Sequence, residues 1–568
     1  MNRNALIGVL AAVVVAIGAY FAFTPKTDKM DAPKQTATAP APAPAPAPAA
    51  APKPAGPLTF KWANDGDVSS MDPYARNETF LISFMGNVYE PLMRRDGAMK
   101  MIPGLATSWS LKSPTVWEFK LRQGVKFHDG SPFTAEDVVF SFNRAQSGGS
   151  NMKGYFLSVK EVRAVGADTV EVETKVPDPL LADKLAGILI MSKTWADKNG
   201  ASEAIDLTSG KENFATRNAN GTGAFKLKSR EPDVKTVLER NPDWWDKDTT
   251  KFNIDIAELY VIPNAATRTA ALLSGEVQFV YTVPPADQEK LEKDANIKVV
   301  SGRETRVVFL GFDQERDELL ESNIKGKNPF KDVRVRKAFL TAIDQDAIAK
   351  TIMRGNAFPV ATMVGQGING YFEDLDKRPP VDIDAAKKLL TEAGYPDGFE
   401  VGMDCPNDRY VNDEAICKAV VAMLAKVGVK VNLLAQTRSK YFAKILRKSD
   451  FTQGATSFFM LGWSPGATYD LADVLQQLME TPSAAKKVGA FNPGGYSNKR
   501  LDELADTAAQ ETDAAKRTAQ LREATQLHRD EVGHIPLHQQ AIVWAMRKNI
   551  ELVQRADNIF PLYYVNMK

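Results

Sequence analysis

The sequence predicts an α/β fold on three observations. From Leu58 onward, short segments of alternating strand character are mixed with amphipathic helical segments. The stretch Asp384–Leu434 reads helix, strand, helix, strand, the succession that builds an α/β sheet. No period of about 20 to 50 residues recurs, which excludes solenoids and propellers.

In chain order, the expected strands are Leu58–Trp62, Val116–Leu121, Thr169–Thr174, Lys235–Glu239, Ile256–Val261 and Lys430–Leu434. After Val116–Leu121, Gly124 and His128-Asp129-Gly130 supply turns, and Thr134-Ala135-Glu136-Asp137 caps a helix carrying Val138, Val139, Phe140 and Phe142. Further helices are expected at Val333–Met353 behind an Asp332 cap, at Asp384–Ala393 ending in Gly394, and at Asn412–Val427 ending in Gly428. Ser497–Glu511 and Ala514–Val532 read as two more.

The first 57 residues are of another kind. Ala5–Phe23 is an unbroken apolar run, about 28 Å long as a helix, close to the thickness of a bilayer's hydrocarbon core. Residues 1–23 therefore predict a signal anchor or a signal peptide, with membrane contact through residues 5–23. Residues 24–57 hold 10 of the chain's 33 prolines, most in alternation with alanine, and predict a semi-rigid linker.

The 568 residues carry 71 basic against 70 acidic side chains, which excludes a chain made chiefly to bind nucleic acid by charge. The two cysteines are too few for a disulfide scaffold or a four-thiolate zinc site. Gly462-Trp463-Ser464-Pro465-Gly466 matches the G-x-S-x-G pattern of a hydrolase nucleophile. Pro465, however, has no N–H to offer an oxyanion hole, so no enzyme is expected. His534 and His538 have the spacing of a ligand pair on a helix, but Pro536 breaks any helix between them, and His128 lies in a turn as a structural hydrogen-bonder; no metal site is expected. Gly221-Thr222-Gly223 lacks a dinucleotide fingerprint's third glycine and acidic partner, there is no P-loop, and no cofactor is expected.

The segment TVWEFKLRQGVKFHDGSPFTAEDVVFSFNR (Thr115–Arg144) closely resembles the signature of the family 5 solute-binding proteins of ABC transporters, the dipeptide-, oligopeptide- and nickel-binding group. The resemblance extends through Met71–Met93, Ile102–Trp109, Gly221–Leu227, Asn328–Asp344, Asp384–Phe399, Leu461–Trp463 and Glu531–Gln540, over residues 58–568. It implies a periplasmic-binding-protein-like, two-lobed α/β fold with three domains. Domain I would be discontinuous (58–95, 218–298 and 540–568), domain II an insertion (96–217), and domain III residues 299–539. It also implies a substrate-binding protein of an ABC importer that captures a peptide or similar small solute between its lobes and delivers it to a permease driven by separate ATPase subunits. The protein would lie in the periplasm or on the outer face of the cytoplasmic membrane, with a monomeric body. The alternative is a membrane-anchored receptor or scaffold that keeps the fold but not transport.

In resembling peptide binders an arginine of the third domain pairs with the ligand α-carboxylate, and an aspartate shortly after a Gly-Trp pair takes the α-amine. Arg409 matches the arginine; the aspartate position falls on Gly466. Asp470 is a candidate for the amine by a different loop path, with capping of the helix Leu471–Met479 as its other role. Trp463 and Tyr469 are expected as cleft aromatics, together with Tyr74. The free N–H groups at the Asn412–Asp413 helix start are candidates to share an anion. With export implied, Cys405 and Cys417 are expected to form a disulfide across the turn between a strand and a helix.

Overall fold

A large sheet whose central strands are buried at nearly every position organises the protein, and a computed structural model describes residues 56–568 apart from 208–210, 282, 449 and 467. The leader and the linker up to Ala55 lie outside the described residues. Among the described residues no helix is long and apolar enough to cross a membrane.

Eleven strands form this sheet: β1 (Thr59–Asn64), β2 (Phe225–Glu231), β3 (Lys235–Arg240), β4 (Ile256–Val261), β5 (Phe279–Val280), β6 (Ile297–Phe312), β7 (Ala357–Pro359), β8 (Glu400–Pro406), β9 (Lys430–Gln436), β10 (Phe458–Trp463) and β11 (His534–Arg547). Their order is β9-β8-β10-β6-β11-β5-β1-β4-β3-β2, with β7 paired to β11. Strand β8 runs parallel to both β9 and β10, and β1 parallel to both β4 and β5. The long antiparallel pair β6/β11 joins these two parallel groups. A separate four-stranded antiparallel sheet has the order Ala106–Ser113, Val116–Leu121, Thr169–Thr174, Val159–Ala164.

Buried apolar side chains collect on either side of the β6/β11 pair. One group draws on Phe60 to Tyr281 and on Ile542 to Val565; two others draw on the chain between Val308 and Leu537. His128 ties a turn to the first group: its Nε2 bonds the Gly223 carbonyl at 3.0 Å. Gly221 is required there, since a Cβ would lie 2.0 Å from the Val88 carbonyl oxygen. His528 and His534 form a buried pair, Nε2 to Nδ1 2.9 Å, and His534 and His538 lie on strand β11. Among the described residues no group of acidic, His or Cys side chains is arranged to hold a metal ion.

The helix expected over Val333–Met353 is shorter. It ends at Ala342, Ile343 turns to extended backbone, and Asp344 starts a new turn by accepting the Ala347 N–H at 2.8 Å. Arg378 explains the break, because its guanidinium donates to the carbonyls of Leu340 (2.7 Å) and Ile343 (3.1 Å) and so satisfies the helix end. The helix at Ala135–Ala145 carries the Thr134/Asp137 capping box.

Glu480 is buried at 1% exposure, and burial, with Asp506 and Asp502 nearby, pushes its carboxyl up to about 7. A raised folded-state value means that its contribution to stability is full below the unfolded value and is lost as pH rises through about 7. Glu480→Gln is therefore expected to leave stability unchanged near pH 4 and to raise it by about 1–3 kcal/mol at pH 8, as urea unfolding at the two pH values would measure.

Candidate ligand-binding cavity

An irregularity in the β6/β11 ladder opens the site. Arg303 pairs with Ala541 and Val307 with Gln539, so Glu304, Thr305 and Arg306 stand opposite the single residue Gln540. Such a bulge re-aims side chains, and these three residues line a cavity of about 910 Å³. The ends of β8 and β10 contribute Arg409, Tyr410, Trp463 and Ser464, which fits the rule that ligands collect beyond the carboxyl ends of parallel strands. The facing wall comes from the first core group, with Glu90, Arg94, Arg95, Tyr155, Asp183, Arg555 and Asp557.

Arg409 sits in the loop between β8 and the helix Asp413–Ala425. Asp413 holds that loop: its Oδ2 accepts the N–H groups of Arg409 (2.9 Å) and Tyr410 (3.0 Å), and its Oδ1 that of Glu414 (2.9 Å). At the helix start itself, the Glu414 N–H is held by Asp413 and the Asp413 N–H points to the Tyr410 carbonyl at 3.4 Å; Asn412 turns its amide to the Ile352 carbonyl. Tyr410 bonds Gly462 in both directions, OH to O at 3.2 Å and N–H to OH at 2.9 Å, and a Cβ on Gly462 would come within 2.8 Å of its ring. Asp408 accepts the Arg438 N–H and Glu414 pairs with Lys418, so neither neutralises Arg409. Among the described residues no carboxylate lies within ion-pair distance of its guanidinium, which stacks 5.1 Å from the Tyr410 ring. Burial, with Arg306 alongside, pulls the guanidinium below its ordinary value.

The other cavity arginines have partners. Arg94 pairs with Asp246 (2.8 Å), Arg95 with Asp183 (2.6 Å), and Arg555 with Asp557 (2.5 Å). Arg306 has one long contact, Nε to Glu304 at 3.3 Å, and the other oxygen of Glu304 accepts from Gln540 at 2.9 Å. Of these two neighbouring guanidiniums, Arg306 has part of Glu304 and Arg409 has no carboxylate within ion-pair distance among the described residues.

Trp463 and Tyr469 also line the cavity. Trp463 packs at a tilt against Phe491 (4.7 Å between ring centroids) and donates its indole N–H to Asp473 at 2.8 Å. Tyr469 has a left-handed backbone (φ 52°), lies under the Arg95 guanidinium at 4.5 Å, and reaches Asp557 at 3.4 Å. Two expected ligand contacts are elsewhere. Asp470 is buried and chelates Arg517 (2.8 and 2.7 Å), bonds Asn369, and caps the helix Leu471–Val474. No oxygen of Asp470 remains for an amine. Tyr74 is fully buried in the first core group, with its hydroxyl on the Leu189 carbonyl at 2.6 Å and Arg144 over its ring. Sequence reasoning missed Arg306, Glu304 and Asp473. The charged SGRETR run interrupting an otherwise apolar strand was the signal for the first two.

Cys405, at the end of β8, is joined to Cys417 in the following helix. The bond closes the loop that carries Arg409. Closing a loop of this length stabilises by about 3 kcal/mol, so Cys405→Ser with Cys417→Ser is expected to lower stability by about 2–3 kcal/mol in denaturant unfolding.

A cavity of this size between two core groups, walled by aromatics and by five arginines against five acidic side chains, defines a protein that binds small solutes. The family described as "Bacterial extracellular solute-binding proteins, family 5 Middle" matches residues 100–485, and the chain belongs to it. The dipeptide-binding protein of Escherichia coli (strain K12) is 28% identical over 528 residues, 88% of this chain and 90% of that one. The glutathione-binding protein GsiB of the same strain is 26% identical over 487 residues, 85% and 89% of the two chains. HbpA2 from Haemophilus parasuis shares the fold at a TM-score of 0.77 and 24% identity, covering 90% of this chain and 100% of that one. The ABC transporter-associated periplasmic binding protein DppA from Helicobacter pylori, solved with the peptide STSA, matches at a TM-score of 0.68 and 25% identity, covering 90% and 98%. The fold is thus of the mixed α/β, periplasmic-binding-protein-like kind.

Proposed function

We propose that the cavity captures a peptide, or a similar small solute ending in a carboxylate, on Arg409 with Arg306 beside it. The chain serves as the substrate-binding protein of an ABC importer and hands its solute to a membrane permease on the outer side of the membrane. The observation that carries the reading is the guanidinium of Arg409, half-buried in the cavity wall without an acidic partner among the described residues. A half-buried cation without a partner favours an incoming anion, and a planar guanidinium matches a carboxylate in a two-pronged contact. The cavity volume lies toward the upper end of the range that encloses small ligands. The names of the dipeptide- and glutathione-binding relatives support the same class.

Domain I (58–95, 218–298 and 540–568), domain II (96–217) and domain III (299–539) make the two lobes, and hinge closure about β6 and β11 encloses the solute. Reading the site as one for binding is supported at Ser464, whose hydroxyl is 2.6 Å from that of Thr305 and which is followed by Pro465, a residue without an N–H for an oxyanion hole. Calorimetry of the full-length chain against di- to pentapeptides, glutathione and their C-terminal amides tests the reading. Binding of free acids with loss in the amides is expected; equal binding of acids and amides would overturn it.

A further inference from the structure

We infer that the cavity carries an apolar subsite, built by Phe442, Leu446, Trp463 and Phe491, which takes a large apolar side chain of the bound solute, one of leucine or phenylalanine size. This rests on the solute-binding reading of the cavity and narrows the class of solute.

The cavity lining is not evenly mixed. Its ion-paired arginines Arg94, Arg95 and Arg555 stand on the wall of the first core group. The third core group contributes Phe442, Leu446, Leu461, Trp463 and Phe491. Leu461 is buried, whereas the other four pack against that core and stay only partly covered. The core group therefore ends at the cavity with apolar surface uncovered, and an apolar side chain laid on it would extend the core by one more member.

The charged side chains of the same segments turn elsewhere. Phe442 stands on the helix Arg438–Ile445, whose Lys444 reaches Asp404 at 2.6 Å and Glu321 at 3.1 Å. Arg447, one residue past Leu446, pairs with Glu315 and donates its Nε to the Asn492 carbonyl at 3.0 Å. That bond also ties the Phe442–Leu446 segment to the loop carrying Phe491. The loop is held in turn to the segment Leu475–Met479, by the Phe491 N–H on the Gln477 carbonyl (3.0 Å) and the Gly489 N–H on the Gln476 carbonyl (2.7 Å). Trp463 is oriented by its indole bond to Asp473 at 2.8 Å. Hydrogen bonds outside the subsite thus set the positions of its walls, so the pocket exists before the solute arrives and little ordering is needed to fill it. An acidic side chain entering here would lose hydration beside Asp473, and Lys444 and Arg447 are already engaged.

The subsite borders Arg409. Asp408 accepts the Arg438 N–H at the start of the Phe442 helix, and Tyr410 bonds Gly462, the residue before Trp463. The side chain read here is therefore that of the solute residue lying next to Arg409.

The test is calorimetry on the full-length chain with Ala-Ala, Ala-Leu, Ala-Phe and Ala-Glu. Wild type is expected to bind Ala-Leu and Ala-Phe at least about tenfold more tightly than Ala-Ala and Ala-Glu, the discrimination that added apolar groups give in an apolar pocket. Leu446→Gln keeps the size of a half-buried side chain, and Phe442→Ser removes a ring. Each is expected to weaken Ala-Phe at least about fivefold more than Ala-Ala, whereas Phe442→Leu, which keeps the surface apolar, should retain most of the preference. Wild-type affinities for Ala-Phe and Ala-Ala within about threefold of each other would overturn the subsite and leave the solute-binding reading standing. So would equal weakening of all four peptides by Leu446→Gln, or a preference that neither Leu446→Gln nor Phe442→Ser diminishes. If wild type binds none of the four, the peptide reading fails by itself, and the solute released from the purified protein decides the subsite. A solute with an apolar group of this size whose binding Leu446→Gln weakens upholds it; a wholly polar solute, or a cavity empty in every preparation, overturns it.

Discussion

Arg409→Ala is expected to weaken binding of a carboxylate-bearing solute by about 2–5 kcal/mol, because the ligand anion would then be enclosed without its partner. The loop should survive the change, since Asp413 holds it through backbone N–H groups and not through the arginine side chain. Arg409→Lys should recover only part of the loss: an ammonium can neutralise the carboxylate but cannot make the planar two-pronged contact. Arg306 stands alongside, so Arg306→Gln is expected to lose less, as its Nε is already engaged with Glu304. Calorimetry with one solute across the three variants checks the ranking. Arg409→Ala binding within about twofold of wild type would reject the role.

Asp470→Ala is expected to destabilise the fold by about 3–5 kcal/mol, the usual consequence of stranding one member of a buried ion pair. Arg517 would keep its Nε bond to the Ala508 carbonyl and lose both bonds that neutralise it. The helix Leu471–Val474 would lose its cap, and Asn369 its partner 101 residues away in sequence. The double variant Asp470→Ala with Arg517→Met should cost less than Asp470→Ala alone plus Arg517→Met alone, because no charge is left unpaired. Urea unfolding of the four proteins measures this. Near-additive losses would show that the two side chains act independently.

These expectations show what sequence could and could not supply. The strands Val116–Leu121, Thr169–Thr174 and Ile256–Val261 match their expected limits, because their alternation is clean and turn residues bound them. Strand β6 was hidden by its own function: the polar run in its middle is a bulge, and no pattern of period 2 crosses it. The long helix from Val333 was broken by Arg378, a residue 36 positions beyond the helix end and invisible to local capping rules. Resemblance placed Arg409, Trp463 and Tyr469 at positions that line the cavity. It could not separate Asp470 from Asp473. They lie three apart at one helix start, and only the fold reveals that one faces Arg517 and the other the Trp463 indole.

The central claim, that this cavity encloses a small solute bearing a carboxylate, is tested most directly by mass spectrometry. Full-length protein is purified natively and then denatured, and the small molecules released are identified. A near-stoichiometric peptide or related solute with a free carboxylate is the predicted result. A stoichiometric solute without a carboxylate would contradict the account, as would a cavity that is empty in every preparation and binds no peptide in vitro, the outcome that fits a receptor or scaffold.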